Sequence, residues 1–171
     1  MNKLIDPGIP EFYQALLCDK YPHISDSNLT CMVNEILKFF HMAAATERSF
    51  SYPISALLDD IVHLFILQTK IYTDFCARFR QGWRLEHVSN LSYMKKDPRQ
   101  TRNETLSWMA SYVENFGPFT LETLPHWPRI YAIYRDLKVP LEVFNVWCAS
   151  LKDIYPSSCV PAVPIGEAAA Q

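Results

Sequence analysis

Residues 55–87 read Ser55-Ala-Leu-Leu-Asp59-Asp60-Ile-Val-His63-Leu-Phe-Ile-Leu-Gln-Thr69-Lys-Ile-Tyr72-Thr-Asp-Phe75-Cys76-Ala-Arg-Phe79, then Gly82-Trp83 and Glu86-His87. Leu57, Leu58, Ile61, Val62, Phe65, Ile66, Thr69, Tyr72, Phe75, Cys76 and Phe79 recur at the three- and four-residue spacing of one helix face. The pattern predicts one long helix, opening at Pro53, whose fixed φ suits the first helical position, and closing before Gly82. At ~100° per residue the apolar stripe centres on Leu58, Phe65, Thr69 and Cys76. Asp59 and His63 are four apart and share the border of that stripe. Asp60 points the opposite way, toward solvent, so Asp59 is expected to be the more buried acid. Tyr72 and Cys76 form a second pair four apart, well inside the stripe.

Outward from this helix, the chain reads as helices separated by prolines. Only four glycines serve the whole sequence, against twelve prolines. A β-rich fold needs many turns with positive φ, so this scarcity argues for helices. A first helix is expected from about Pro10 to Asp19, with Phe12, Ala15 and Leu16 inward. Ser25, Asp26 or Ser27 can cap a second, in which Leu29, Met32, Val33, Ile36, Leu37 and Phe40 keep helical spacing toward Ala45. Residues 80–96 are expected to be irregular. Asp97-Pro98 reads as a cap and first-turn proline opening a helix to Asn115, which Gly117-Pro118 ends. Short helices then follow at Leu121 to Leu124, Arg129 to Leu137 and Leu141 to Ile154. The expected fold class is all-α, a single compact domain of six or seven helices around a long central third helix. It spans residues 1–154, with 155–171 as a loose tail.

Composition narrows the partners. The 171 residues are 49% apolar and 13% aromatic, enough for a well-formed core. A formal net charge of -2 offers no footprint for nucleic acid or an anionic membrane. The five cysteines, Cys18, Cys31, Cys76, Cys148 and Cys159, are odd in number and dispersed, as in a reducing compartment. The first residues hold no apolar stretch of a secretory signal, and the run from Ile61 to Leu67 is too short to span a bilayer. A soluble cytoplasmic protein is expected, with no nucleic-acid or membrane partner.

Asp59 and His63 are the candidate polar site, because a carboxylate beside an imidazole can orient the ring for base chemistry or join it in holding a metal. His87 can fold back as a third contributor, and Cys76 is an outside fourth. The plainer alternative is a hydrogen-bonded pair at a helix edge, since no metal or nucleophile signature accompanies it. Trp83 and Trp127, among many later aromatics, are candidates for a partner surface, with an aromatic core as the alternative. Lys95, Lys96, Arg99 and Arg102 read as a solvated loop and helix start. His41 and His126, beside aromatics, read as packing residues.

The register Asp59, Val62, His63, Ile66, Leu67, Thr69, Tyr72, Phe75, Cys76, with Gly82, Trp83 and His87 as the following turn, resembles a helical domain of plant glycine-rich-domain proteins and their bacterial relatives. Residues 112–119, Tyr-Val-Glu-Asn-Phe-Gly-Pro-Phe, and Trp127 resemble the closing segment of the bacterial version. The resemblance covers roughly residues 25 to 130 and implies a helical fold there. Val62 stands where that pattern has Trp, and Glu86-His87 where it has paired histidines, which weakens a metal site built on two histidines. The leading expectation is a non-catalytic accessory protein acting through a partner protein, with no cofactor. The alternative is a small enzyme or metal-binding maturation factor, with a transition metal at Asp59, His63, His87 and Cys76. Whether the chain is an enzyme stays open at this point.

Overall fold

Ser25 starts the best-signalled element: its hydroxyl accepts from the Asn28 amide at 3.4 Å and opens α2, Asp26–Ala45. The computed structural model describes residue 9 and residues 11–46, 54–85 and 97–155. Among these it is all-α. Besides α2 there are α1 (Glu11–Lys20), α3 (Ala56–Leu67), α4 (Thr69–Ala77), α5 (Pro98–Phe116), α6 (Pro128–Leu137) and α7 (Leu141–Ser150). Two 3₁₀ turns, Leu124–His126 and Leu151–Asp153, precede α6 and follow α7. The helix expected at Leu121 to Leu124 is a turn that shares only Leu124 with the first of these, and the one expected to reach Ile154 stops as α-helix at Ser150.

α5 is the element the others gather on. It packs along α7 and the turn after it, and also meets α2 and α6, while α3 rests on α2 and α4. Its ends are set locally. The Asp97 carboxylate accepts from the Arg99 amide at 2.9 Å, Pro98 occupies the first turn, and Gly117 leaves the helix at φ 84. That left-handed value costs glycine nothing and a β-carbon more.

The expected long third helix is two helices, α3 and α4, broken at Gln68 with φ -90 and ψ 60. No proline or glycine stands there. In an unbroken helix the Phe65 carbonyl would accept from the residue four ahead. Here it accepts the Tyr13 hydroxyl at 3.2 Å and the Gln68 amide at 3.1 Å. A side chain entering the backbone ladder is a recognised cause of a kink. Leu58, Ile61, Val62 and Phe65 of α3 and Tyr72, Phe75 and Cys76 of α4 are still buried. Thr69, expected inside, opens α4 on the exposed side.

The same contact corrects α1. Its inner face is Tyr13 and Leu17, continued by Ile9 before it and Tyr21 after it, whereas Phe12 and Ala15 are exposed. Tyr13 stacks on Phe65 with ring centres 4.1 Å apart. In α2 the buried set includes Leu29, Met32, Ile36, Leu37 and Phe40 as expected, together with Glu35. The expected tail lies outside the described residues except for Tyr155, whose hydroxyl donates to Asn103 at 3.3 Å.

Tyr13→Phe should lower unfolding free energy by about 1 kcal/mol, the usual net worth of one hydrogen bond. Helical circular dichroism should stay unchanged, and the urea midpoint measures the loss. An unshifted midpoint would show that the hydroxyl does not hold the break.

Candidate functional site

Asp59 and His63 do come together. The His63 ring Nδ1 lies 2.7 Å from the Asp59 backbone carbonyl and 3.4 Å from its carboxylate. The Asp59 side chain is 49% exposed and that of Asp60 52%, so burial barely distinguishes the two acids. Their partners do. Asp60 accepts the Tyr21 hydroxyl at 2.5 Å and pairs with Lys20 at 3.2 Å, tying the end of α1 to α3. These contacts, the Tyr21 hydroxyl foremost, hold the Asp60 carboxyl below its ordinary range. Asp60 thus faces solvent as expected and is also engaged there, because Tyr21, at the end of α1, reaches across to it.

Cys76 is buried on α4 beside the Tyr72 hydroxyl, which donates to the Leu85 carbonyl at 2.8 Å. Burial pushes the Cys76 thiol up, away from thiolate character. His87 lies outside the described residues. Among the described residues, no three His, Cys, Asp or Glu side chains gather as a metal would require.

The most heavily engaged polar group is Glu35, 1% exposed within the aromatic interior. Its Oε2 accepts the Trp127 indole N–H at 2.6 Å and the Tyr112 hydroxyl at 2.9 Å. Its Oε1 accepts the Lys38 ammonium at 2.6 Å, with the shared Tyr112 hydroxyl at 3.0 Å. Lys38 donates in turn to the Tyr112 oxygen at 2.8 Å and sits over that ring. A carboxylate has about four acceptor sites, and three donors meet them here, the single Tyr112 hydroxyl hydrogen being shared between the two oxygens. Such a group, 1% exposed, holds its neighbours and is out of reach of a substrate. Burial, then the Glu35 charge, drives the Tyr112 phenol well above its ordinary pKa.

Trp127, a candidate for a partner surface, is 2% exposed and belongs to this clamp. It could not serve a partner, since its indole N–H is spent on Glu35. Trp83 is partly buried, edge-on to Phe40. Glu35 escaped sequence reasoning, although a signal existed: Met32, Glu35, Phe39 and Met42 share one helical register and all are buried. An acid in an apolar row must have donors facing it.

A second feature is the outer face of α7. Phe144, Cys148 and Leu151 turn inward, and the Asn145 amide clasps the loop by accepting from the Phe119 amide at 2.8 Å and donating to its carbonyl at 2.9 Å. On the outer side Val143, Val146 at 71% and Ile154 at 70% are exposed, with Trp147 partly buried against Phe144. Glu142, one turn before Val146, and Asp153, two turns after it, are exposed along one edge of that face.

A family model described as UCP032817-like matches residues 5–153. The chain belongs to the UCP032817-like family. No curated protein and no solved structure matches it. The family match spans the Glu35 clamp and α7 itself, ending one residue before Ile154. No helix among the described residues is long and apolar enough to cross a membrane.

Glu35→Ala should cost about 3–5 kcal/mol, because it strands an ammonium and two buried donors. Asp59→Ala should cost under about 1 kcal/mol. Urea denaturation of the two variants tests the ranking, and equal losses would refute it.

The pH dependence follows from two histidines. Burial lowers the pKa of His41, whose Nε2 is buried without a hydrogen-bond partner, and of His126, where the Glu35 charge opposes the shift. Both are held neutral in the fold while the unfolded chain takes up protons near pH 6.5. Stability should therefore be complete above that value and fall as the pH drops through it. His41→Phe, which keeps the edge contact to Phe116, should flatten the decline measured between about pH 7.5 and 5. An equally steep decline in that variant would absolve His41.

Proposed function

We propose that the chain is a non-catalytic accessory protein of the cytoplasm that acts by binding a partner protein. The observation carrying this reading is the α7 face, where Val143, Val146 and Ile154 are exposed together on and just after one helix. Single exposed apolar side chains are ordinary on soluble proteins, whereas grouped ones mark contact surfaces. The Glu35 clamp, buried and met by three donors, fits a role in holding structure better than one in chemistry. Free thiols at Cys18, Cys31, Cys76 and Cys148 suit a reducing compartment. The near-neutral charge suits a protein partner better than nucleic acid. We further propose kinship with the helical domain of plant glycine-rich-domain proteins on the Asp59 to Cys76 register. That register now runs across the α3–α4 break.

Complementation of a deletion strain separates this reading from an Asp59–His63-centred enzyme. Val146→Asp combined with Ile154→Asp should keep the abundance and melting behaviour of the wild type, since exposed substitutions change stability by about 0.5 kcal/mol. It should nevertheless fail to complement, while His63→Asn complements in proportion to its abundance. A folded, abundant and inactive His63→Asn protein beside a fully active α7 variant would reverse the assignment.

A further inference from the structure

The α7 face has an edge of one sign. Glu142, Val146 and Asp153 succeed one another along the helix and the turn after it, all exposed, whereas the opposite edge passes through Trp147 into the core. Lys152, the exposed cation of that turn, stands about 100° round from Asp153 on the side away from the apolar residues. We propose that this face receives an amphipathic helix of a partner protein whose apolar stripe is bordered by Lys or Arg. The inference rests on the reading of the chain as a partner-binding protein and adds the chemistry of the partner.

Charge complementarity selects this occupant over two others. Pairing two copies through the same face either sets the acidic edges side by side, Glu142 against Asp153, where like charges repel, or, with the helices parallel, leaves each acidic edge opposite the uncharged Trp147 edge with no cation to meet it. The chain's own residues 156–171 contain no lysine or arginine and one further acid, Glu167, so they cannot complement the edge. A helix with basic flanks can place its apolar side chains on Val143, Val146 and Ile154 and its cations beside Glu142 and Asp153. This is the helix-on-apolar-surface mode of recognition, with the charges setting orientation and partner choice.

The probes are two labelled helical peptides of one amphipathic pattern, one of Leu and Lys and one of Leu and Glu, titrated against the full chain by fluorescence anisotropy. A Leu and Lys peptide of scrambled order serves as control. The patterned Leu and Lys peptide should bind at least about tenfold more tightly than the other two, and Val146→Asp should remove most of that affinity. Glu142→Gln with Asp153→Asn should erase the preference for lysine over glutamate while apolar binding persists. Equal binding by wild type and Val146→Asp, or an undiminished lysine preference in the neutralised variant, overturns the proposal. So does a dimer by sedimentation that Val146→Asp dissolves, which gives the face to a second copy. Protease protection of residues 156–171 that Val146→Asp abolishes would give it to the chain itself and likewise overturn the proposal. If the neutralised variant keeps its lysine preference yet the α7 double variant still fails complementation, the basic flank is wrong and partner binding stands.

Discussion

A carboxylate placed among aromatic rings is the constraint on which the rest of this structure depends. Burying a charge costs several kcal/mol unless donors replace its water, and Glu35 finds three: Lys38, Tyr112 and Trp127. Lys38 comes from its own helix one turn on, but Tyr112 lies 77 residues away and Trp127 lies 92 residues away. The group is therefore satisfied only when α2, α5 and the turn before α6 have all docked. An apolar side chain at position 35 could add stability without that requirement, because apolar contact is non-directional. The acid makes the arrangement specific.

The consequences run outward from Tyr112. Its ring stacks on Phe119 at 4.1 Å, nearly parallel, and Phe119 is the residue whose backbone Asn145 clasps. The depth of α5 against α2 thus sets the position of the loop after Gly117, and the loop in turn sets the register of α7. At α1, Tyr13 and Tyr21 play the corresponding part. One hydroxyl takes the Phe65 carbonyl and the other the Asp60 carboxylate, so α1 is fastened to α3 at two points. Tyrosines do this work because each offers a large apolar ring and a polar tip.

Much of the helical scaffold was legible because its signals are local. Ser25 before an apolar periodic run, Asp97-Pro98 at a start and Gly117-Pro118 at an end each carry their physics within a few residues. The features that were misread depend on distant ones. Nothing between Leu64 and Tyr72 announces a break, since its cause is a hydroxyl 52 residues earlier in the chain. The helix wheel places Asp60 toward solvent, where it is, but says nothing of Tyr21, which reaches it from the end of α1. Trp127 was offered to a partner because indoles are common at interfaces, and the acid it serves was hidden inside an apolar row. Asp59 and His63 meet because one helix turn brings them together, so that pair was readable from spacing alone.

α7 is the converse case. Its sequence, Leu-Glu-Val-Phe-Asn-Val-Trp-Cys-Ala-Ser, is apolar over more of its circumference than one core contact can use. Phe144, Cys148 and Leu151 turn into the core, while Val143, Val146 and Ile154 stay exposed. A face of this kind is effective for binding only if it is rigid, because ordering a loose segment on contact subtracts from affinity. Here the rigidity is supplied from within: Asn145 fixes the middle of the helix to Phe119, and Tyr155 fixes its exit to Asn103 on α5. The clamp at Glu35 and the exposed valines are in this sense one construction, the buried charge setting the position from which the apolar face is presented.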